Sequence, residues 1–302
     1  MIGSPASTQP TKAARGALSP NAIAWRQVLR SHTTVVALAI VVLIGIAALL
    51  APWIAPYDPD EADLFRRLQP PAWLEGGEWA YVLGCDGLGR DILSRLLYGA
   101  RVSFAIGIIV IAIAVGIGTF AGLTAGYLRG ATDTVLSRLA DILLAFPYLI
   151  FAIGLMAMTG PGIHNLVLAL VYREWVVSFR VVRGETLAAR EVEYVEAARA
   201  LGASRLHIML REILPNILSP VLVVGTVRMA TVIMLEASLS FLGLGVRSPT
   251  ASWGSMVADG RDFLFDAWWV STLPGIAILV LVLAINVASQ GLRDAFDPRM
   301  RT

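Results

Sequence analysis

Six long apolar runs divide the chain: Val35–Ile54, Val102–Tyr127, Val135–Met158, Ile163–Val182, Pro220–Leu239 and Trp268–Ala288. Each approaches or exceeds the roughly 20 apolar residues that cross ~30 Å of hydrocarbon as a helix. Backbone inside a bilayer must satisfy its own hydrogen bonds, so continuous apolar runs predict helices. A barrel would need short strands of alternating polarity, which these runs lack. The pattern predicts an all-α polytopic membrane protein with six transmembrane helices. The first run is longer than the roughly 7–15 apolar residues of a signal peptide, so it is expected to be a retained anchor. Before it, Met1–Asn21 is rich in Ser, Thr, Pro and Ala and reads as a flexible tail.

Composition agrees. The chain of 302 residues is 57% hydrophobic and only 15% charged, with a mean hydropathy of +0.71. Soluble domains carry roughly a quarter charged residues. A net charge of +2 gives no case for nucleic acid. The lone cysteine, Cys85, excludes an internal disulfide. Lysine and arginine positions set the orientation. Lys12, Arg15, Arg26 and Arg30 precede the first run, Arg129 and Arg138 lie between the second and third, and Arg183, Arg190, Arg199, Arg205 and Arg211 lie between the fourth and fifth. Arg293, Arg299 and Arg301 follow the sixth. Six spans put all four groups on one side, expected to be cytoplasmic. Arg66, Arg67, Arg90, Arg95 and Arg101 fall on the other side, in a loop long enough to weigh less in this rule. The expected division is a cytoplasmic tail over 1–32, a first transmembrane helix over 33–55 and an exterior loop over 56–101. A core of five helices follows over 102–290, with a cytoplasmic loop over 183–216 and a cytoplasmic tail over 291–302.

Polar residues inside the apolar runs are costly at the bilayer centre. They are Asp141 in the third run, Arg173 and Glu174 in the fourth, Arg228 and Glu236 in the fifth and Asn286 in the sixth. Two readings fit them: structurally paired charges, or the polar lining of a solute path. Gly118, Gly122 and Gly126 share one helix face, where backbones can approach closely. That face suits packing within this chain or against another. Pro147 should kink the third helix.

The segment between the fourth and fifth runs is too polar to span. It reads as two short helices, the first over roughly Glu191–Leu201, with Tyr194, Ala198 and Leu201 on one face. Its acidic first turn suits the positive end of the helix dipole. Gly202 fits the left-handed residue that ends a helix, and Ser204 fits the N-cap of the next. Leu206, Leu210, Ile213 and Leu214 would form the second helix's apolar stripe, and Pro215 would end or kink it. The result is a helical elbow rich in small residues, suited to close approach by another surface.

Here the residues resemble a known family. Glu196-Ala197-Ala198, Gly202 and Leu214-Pro215 match the EAA motif of ABC importer permeases. One position departs: Glu212 stands where the motif has Ile, and Ile213 follows. Leu83–Arg101, Asp141–Pro147, Ser238–Gly245, Trp253-Gly254 and Gly291–Pro298 are similar to the C-type permease subunit of the dipeptide/oligopeptide branch. The resemblance covers roughly residues 30 to 300 and implies the type I importer fold. It implies coupling residues Glu196, Ala197, Ala198, Gly202, Leu214 and Pro215, docked on two cytoplasmic ATPase subunits. It also implies a second homologous permease subunit as heterodimer partner and an extracytoplasmic substrate-binding protein. The chain itself would hold no cofactor; ATP and Mg would be bound by the ATPases. The expected location is a prokaryotic plasma (inner) membrane, with both termini cytoplasmic. The family often has Trp-Pro-x-Tyr where Trp175, Val176 and Ser178 stand here, and Arg173 and Glu174 replace its usual apolar residues. Ser289-Gln290 replaces its usual Gly-Asp.

An enzyme within this chain is disfavoured. A P-loop needs Gly-Lys before Ser or Thr, and the single lysine, Lys12, lies in Thr-Lys-Ala. No His-Glu-x-x-His or Gly-x-Ser-x-Gly occurs, and His32, His164 and His207 are scattered. A secondary transporter or channel would suit the intramembrane charges but has no use for the elbow. Peptide is the expected substrate. Glutathione, nickel chelates and oligosaccharides are alternatives within the same class.

Overall fold

The computed structural model describes residues 26–246 and 249–296. The Met1–Asn21 tail, Lys12, Arg15 and the 297–302 end lie outside the described residues. Among those described the architecture is helical, with one isolated bridge between Cys85 and Asp91. The helices are α1 (His32–Ile54), α2 (Ile92–Leu128), α3 (Gly130–Ala145), α4 (Tyr148–Thr159) and α5 (Ile163–Ala189), then α6 (Glu193–Ala200), α7 (Arg205–Phe241), α8 (Trp253–Gly260) and α9 (Trp269–Phe296). Residues 26–30 are also helical.

Length and apolarity support four spans, α1, α2, α7 and α9, or five if α3 and α4 together make one. Six were expected. The difference lies in the third and fourth runs. Val135–Met158 is not one kinked helix: α3 and α4 meet at 84°. A residue before proline is pushed out of the helical region. Phe146 accordingly sits extended at φ −84, ψ 127, and Pro147 starts the new helix. In α5, Arg173, Glu174 and Arg180 interrupt the fourth run. α2 also begins earlier than its apolar run. The Asp91 carboxylate accepts the Ser94 N–H at 2.7 Å and caps the helix, so residues 92–101, expected as loop, are its first turns.

The 37-residue α2 is the central strut, packing on α5, α7, α1 and α3. Its glycine stripe faces α5. A Cβ at Gly122 would stand 2.8 Å from the Phe179 carbonyl oxygen, and one at Gly118 would meet Ser178. The stripe is therefore a packing face within this chain. At the loop end of the bundle, α8 wedges against α7 and α9. A core of Ile92, Ala100, Ile233, Trp253, Trp269 and Leu281 lies there. A second core at the other end joins Leu123, Tyr127, Val182, Val195, Ile208, Ile213 and Ile217, tying α6 to α2, α5 and α7.

Candidate functional site

The elbow forms, with changed boundaries. α6 covers Glu193–Ala200 rather than Glu191–Leu201, because Val192 is extended at φ −85, ψ 144. Its inward residue is Val195, fully buried. The expected face of Tyr194, Ala198 and Leu201 is not the buried one: Leu201 is 89% exposed and Tyr194 lies on the surface. The turn that follows is a Schellman motif. Gly202 takes φ 81, its N–H bonds the Arg199 carbonyl at 3.0 Å, and the Ala203 N–H bonds the Ala198 carbonyl at 3.1 Å. Ser204 then caps the next helix through the His207 N–H.

The second elbow helix is not a separate short element ended by Pro215. It continues as α7 through a π-helical stretch, Ile208–Ile213. Pro215 has no N–H to give the preceding turn, and the Leu214 N–H bonds Met209, five residues back. The wider turn rotates the apolar stripe. Leu206 and Leu210 point out, while Ile208, Met209, Ile213 and Ile217 point in. Leu214 is half-buried against the elbow core and Pro215 is exposed at its root. Glu196, Ala197 and Gly202 are exposed and Ala198 half-buried. A Cβ at Gly202 would meet nothing within 4 Å. The elbow thus presents small residues, a carboxylate and the apolar Leu201 and Leu206 outward.

The intramembrane polar residues resolve into separate contacts. Glu174, 1% exposed, receives two hydrogen bonds from Arg228, at 2.7 Å from Nε and 2.8 Å from Nη2, clamping α5 to α7. The departure at Glu174 thus has its counter-charge in α7. Arg173 lies 5.6 Å from the Tyr148 ring centre. Asp141 accepts from Arg180 at 2.8 Å on an exposed surface. Glu236 is fully buried and accepts from Ser103 at 3.1 Å and Ser240 at 2.8 Å. Asn286 is half-buried in α9. Arg228 and Glu236, on neighbouring faces of one helix, serve different partners.

The loop end, by contrast, closes on itself. Asp86 accepts the Arg90 Nε at 2.7 Å, the Leu88 N–H at 2.8 Å and the Arg90 N–H at 3.0 Å, with the Arg95 Nε 3.5 Å away. Arg95 also donates to the Pro59 carbonyl at 3.0 Å. Trp253 and Trp269 donate to the Leu96 and Cys85 carbonyls at 2.9 and 3.3 Å. Burial pushes the Cys85 thiol up to about 12, with Asp91 and Asp86 adding to the shift. Burial likewise raises the Asp91 carboxyl, against the lowering effect of its Ser94 bonds. A cavity of about 300 Å³ opens beside this network between Asp60, Tyr98, Arg101 and Thr250. Among the described residues no cluster of His, Cys, Asp and Glu could hold a metal ion.

Sequence reasoning missed the Glu174–Arg228 clamp, the Glu236–serine cluster and the Asp86–Arg90–Arg95 network. The last two each had a local signal, the four-residue spacings of Glu236 with Ser240 and of Asp86 with Arg90.

Comparison with known proteins places the chain in a family. Residues 118–302 match the family model for binding-protein-dependent transport system inner membrane components. Residues 19–71 match the N-terminal transmembrane domain of oligopeptide transport permease C. The di/tripeptide transport system permease protein of Pseudomonas aeruginosa is 42% identical over 277 residues, covering 92% of this chain and 91% of the relative. The putative peptide transport system permease of Brucella suis is 43% identical, covering 94% of this chain and 93% of the relative. The dipeptide transport system permease protein of Escherichia coli is 42% identical, covering 92% of each. Among solved structures, an inward-facing MetNI methionine ABC transporter shares the fold, with a TM-score of 0.56 at 18% identity over 67% of this chain and 96% of that one.

Proposed function

We propose that this chain, which belongs to the family of binding-protein-dependent transport system inner membrane components, carries di- or oligopeptides as one permease subunit of an ATP-binding-cassette importer. It is a transport subunit and not itself an enzyme. The observation that carries the peptide reading is the similarity along nearly the whole chain to permeases named for dipeptides and tripeptides. The observation that carries the coupling reading is the exposed elbow, built on a Schellman turn and rooted in the core of the bundle.

In this reading ATP and Mg are bound by two cytoplasmic ATPase subunits. These dock on Glu196, Ala197, Ala198 and Gly202, with Leu214 and Pro215 at the elbow's root. Small side chains let a partner surface approach closely, and Glu196 offers it a charge. The elbow sits between α5 and α7, and α7 continues from it without a break, so a displacement of the elbow reaches both helices. A second homologous permease subunit completes the path as a heterodimer. A binding protein outside delivers peptide onto the loop end of the bundle. Counting α3 with α4 as one span and α5 as another gives six spans, with both termini on the cytoplasmic side of a prokaryotic inner membrane. Glu174 of α5 is paired with Arg228 of α7, which lowers the cost of burying it. Asp141, Arg173, Arg228 and Asn286 supply polar surface to the path; Glu174 and Glu236 hold their neighbours in place.

Affinity purification of the tagged chain in mild detergent, followed by reconstitution into vesicles, tests this. The expected result is recovery of a second permease and P-loop ATPases, with ATP-dependent uptake of labelled dipeptide when the binding protein is added. A chain recovered alone and driving uptake from an ion gradient without ATP would contradict it.

A further inference from the structure

The joint between α5 and the elbow is fastened to the end of another helix. The last carbonyls of a helix lack intrahelical partners. In α2 the Ala125 carbonyl is taken by the Arg129 N–H at 3.0 Å. The Tyr127 carbonyl is taken by Arg190, whose Nη1 donates at 2.7 Å and lies 3.5 Å from the Gly126 carbonyl. The Arg190 guanidinium also stands 5.9 Å from the Tyr127 ring centre. It sits where the α2 dipole is negative and favours a cation. Its side chain is only 16% exposed. The next residue, Glu191, bonds Arg129 Nη2 at 2.6 Å and lies 3.3 Å from Arg190 Nε. Arg129 and Glu191 are each about half exposed, so their pair adds little stability. Arg190 is the least exposed member of the joint. Sequence spacing gave no hint of this, because Arg190 and Tyr127 are 63 residues apart.

We propose that Arg190 is the positioning residue that joins the elbow to α2, so that displacement of the elbow moves α2 and α5 as one body. The proposal rests on the coupling reading of the elbow. α2 and α5 are already in close contact through Gly118, Gly122 and Gly126. α2 runs from the elbow end to the network at Asp86 and Arg95. A strut held at the elbow by Arg190 Nη1, which reaches two carbonyls of its last turn, carries movement from one end of the bundle to the other. A merely structural cap would stabilise the end of α2 without affecting how much substrate moves per ATP.

The test uses the complete transporter in vesicles, with Arg190→Ala, Arg190→Lys and, as an elbow variant, Ala198→Trp. Three quantities are read: ATPase subunits retained, ATP hydrolysed, and peptide moved per ATP. Arg190→Ala is expected to retain the ATPases and their hydrolysis while moving about tenfold less peptide per ATP, the size of a modest coupling energy. Arg190→Lys, with the charge on a single ammonium in place of the planar guanidinium, is expected to fall between it and the unaltered chain. If Arg190→Ala does not fold, Arg190→Lys carries the test with the same reading. Unchanged peptide per ATP in a folded Arg190 variant overturns the proposal, as does a loss that only tracks the amount of folded complex. Ala198→Trp is expected to lose the ATPases. If it retains them and transports normally, the elbow reading itself fails, whatever Arg190 does. If it blocks transport while Arg190→Ala leaves the ratio intact, the Arg190 proposal alone fails.

Discussion

At the loop end of the bundle, Asp86, Arg90 and Arg95 are each no more than 5% exposed and answer one another. At the elbow end, Glu196, Ala197 and Gly202 face outward, and Leu201 is 89% exposed. Both stretches mix charges and glycines at short fixed spacing. In the first, the chain's own fold uses up the motif: Gly84 and Gly89 take φ 78 and 76 under crossing backbone, and Asp86 holds two guanidiniums. In the second, the motif shapes a surface and leaves it open. Burial, which the motif does not encode, separates a residue needed for folding from one available to a partner.

The largest expected effect breaks the loop end. Asp86→Ala leaves Arg90 and Arg95 buried without their shared carboxylate, a loss of about 3–5 kcal/mol for a broken buried pair. Thermal denaturation in detergent should show it, and the proposed docking of ATPases on the elbow should be unchanged in whatever protein remains folded. At the elbow, Gly202→Val places a β-branched residue at φ 81. The left-handed conformation costs such residues about 1–2 kcal/mol, so stability should fall less than for Asp86→Ala. Peptide uptake should nonetheless be lost; normal uptake by this variant would contradict the elbow's role.

A smaller effect sharpens the comparison through pH. Burial raises the Asp91 carboxyl, and its Oδ1 has no hydrogen-bond partner among the described residues. The folded state therefore holds a proton there more tightly than the unfolded chain does. The cost of burying the carboxylate is present at neutral pH. It is relieved as pH falls through the raised native value toward the ~3.9 of an unfolded aspartate. The melting temperature of Asp91→Asn should be less sensitive to pH over that window than that of the unaltered chain; equal slopes would remove Asp91 as the cause. Smallest is the effect of Leu201→Cys. An exposed substitution should shift stability by no more than about 0.5 kcal/mol. Its thiol should nonetheless react rapidly with maleimide, while Cys85, buried and raised to about 12, stays unlabelled.

Much of this was legible in the sequence because it is local. The apolar runs gave α1, α2, α7 and α9, and Gly202 with Ser204 gave the elbow's turn and cap, since capping needs only neighbouring residues. What failed depended on distant contacts or on backbone detail. Pro147 implies a kink, but Phe146 before it is extended, and the run splits into α3 and α4. The stripe Leu206, Leu210, Ile213 and Leu214 assumed a 3.6-residue period, which the π-helical stretch ahead of Pro215 does not keep. Glu174 and Arg228 lie 54 residues apart, so no spacing rule could pair them. Gly118, Gly122 and Gly126 announced close packing but not its partner, which only the course of α5 identifies.

Photo-crosslinking asks which end of the bundle meets the ATPases. A photoreactive residue is placed at Leu201 or at Phe65, both exposed but at opposite ends of the bundle, in the complete transporter. The account predicts an adduct between the Leu201 position and an ATPase subunit, and none with an ATPase from the Phe65 position. A silent Leu201 position, in a complex that still hydrolyses ATP and imports peptide, would contradict it.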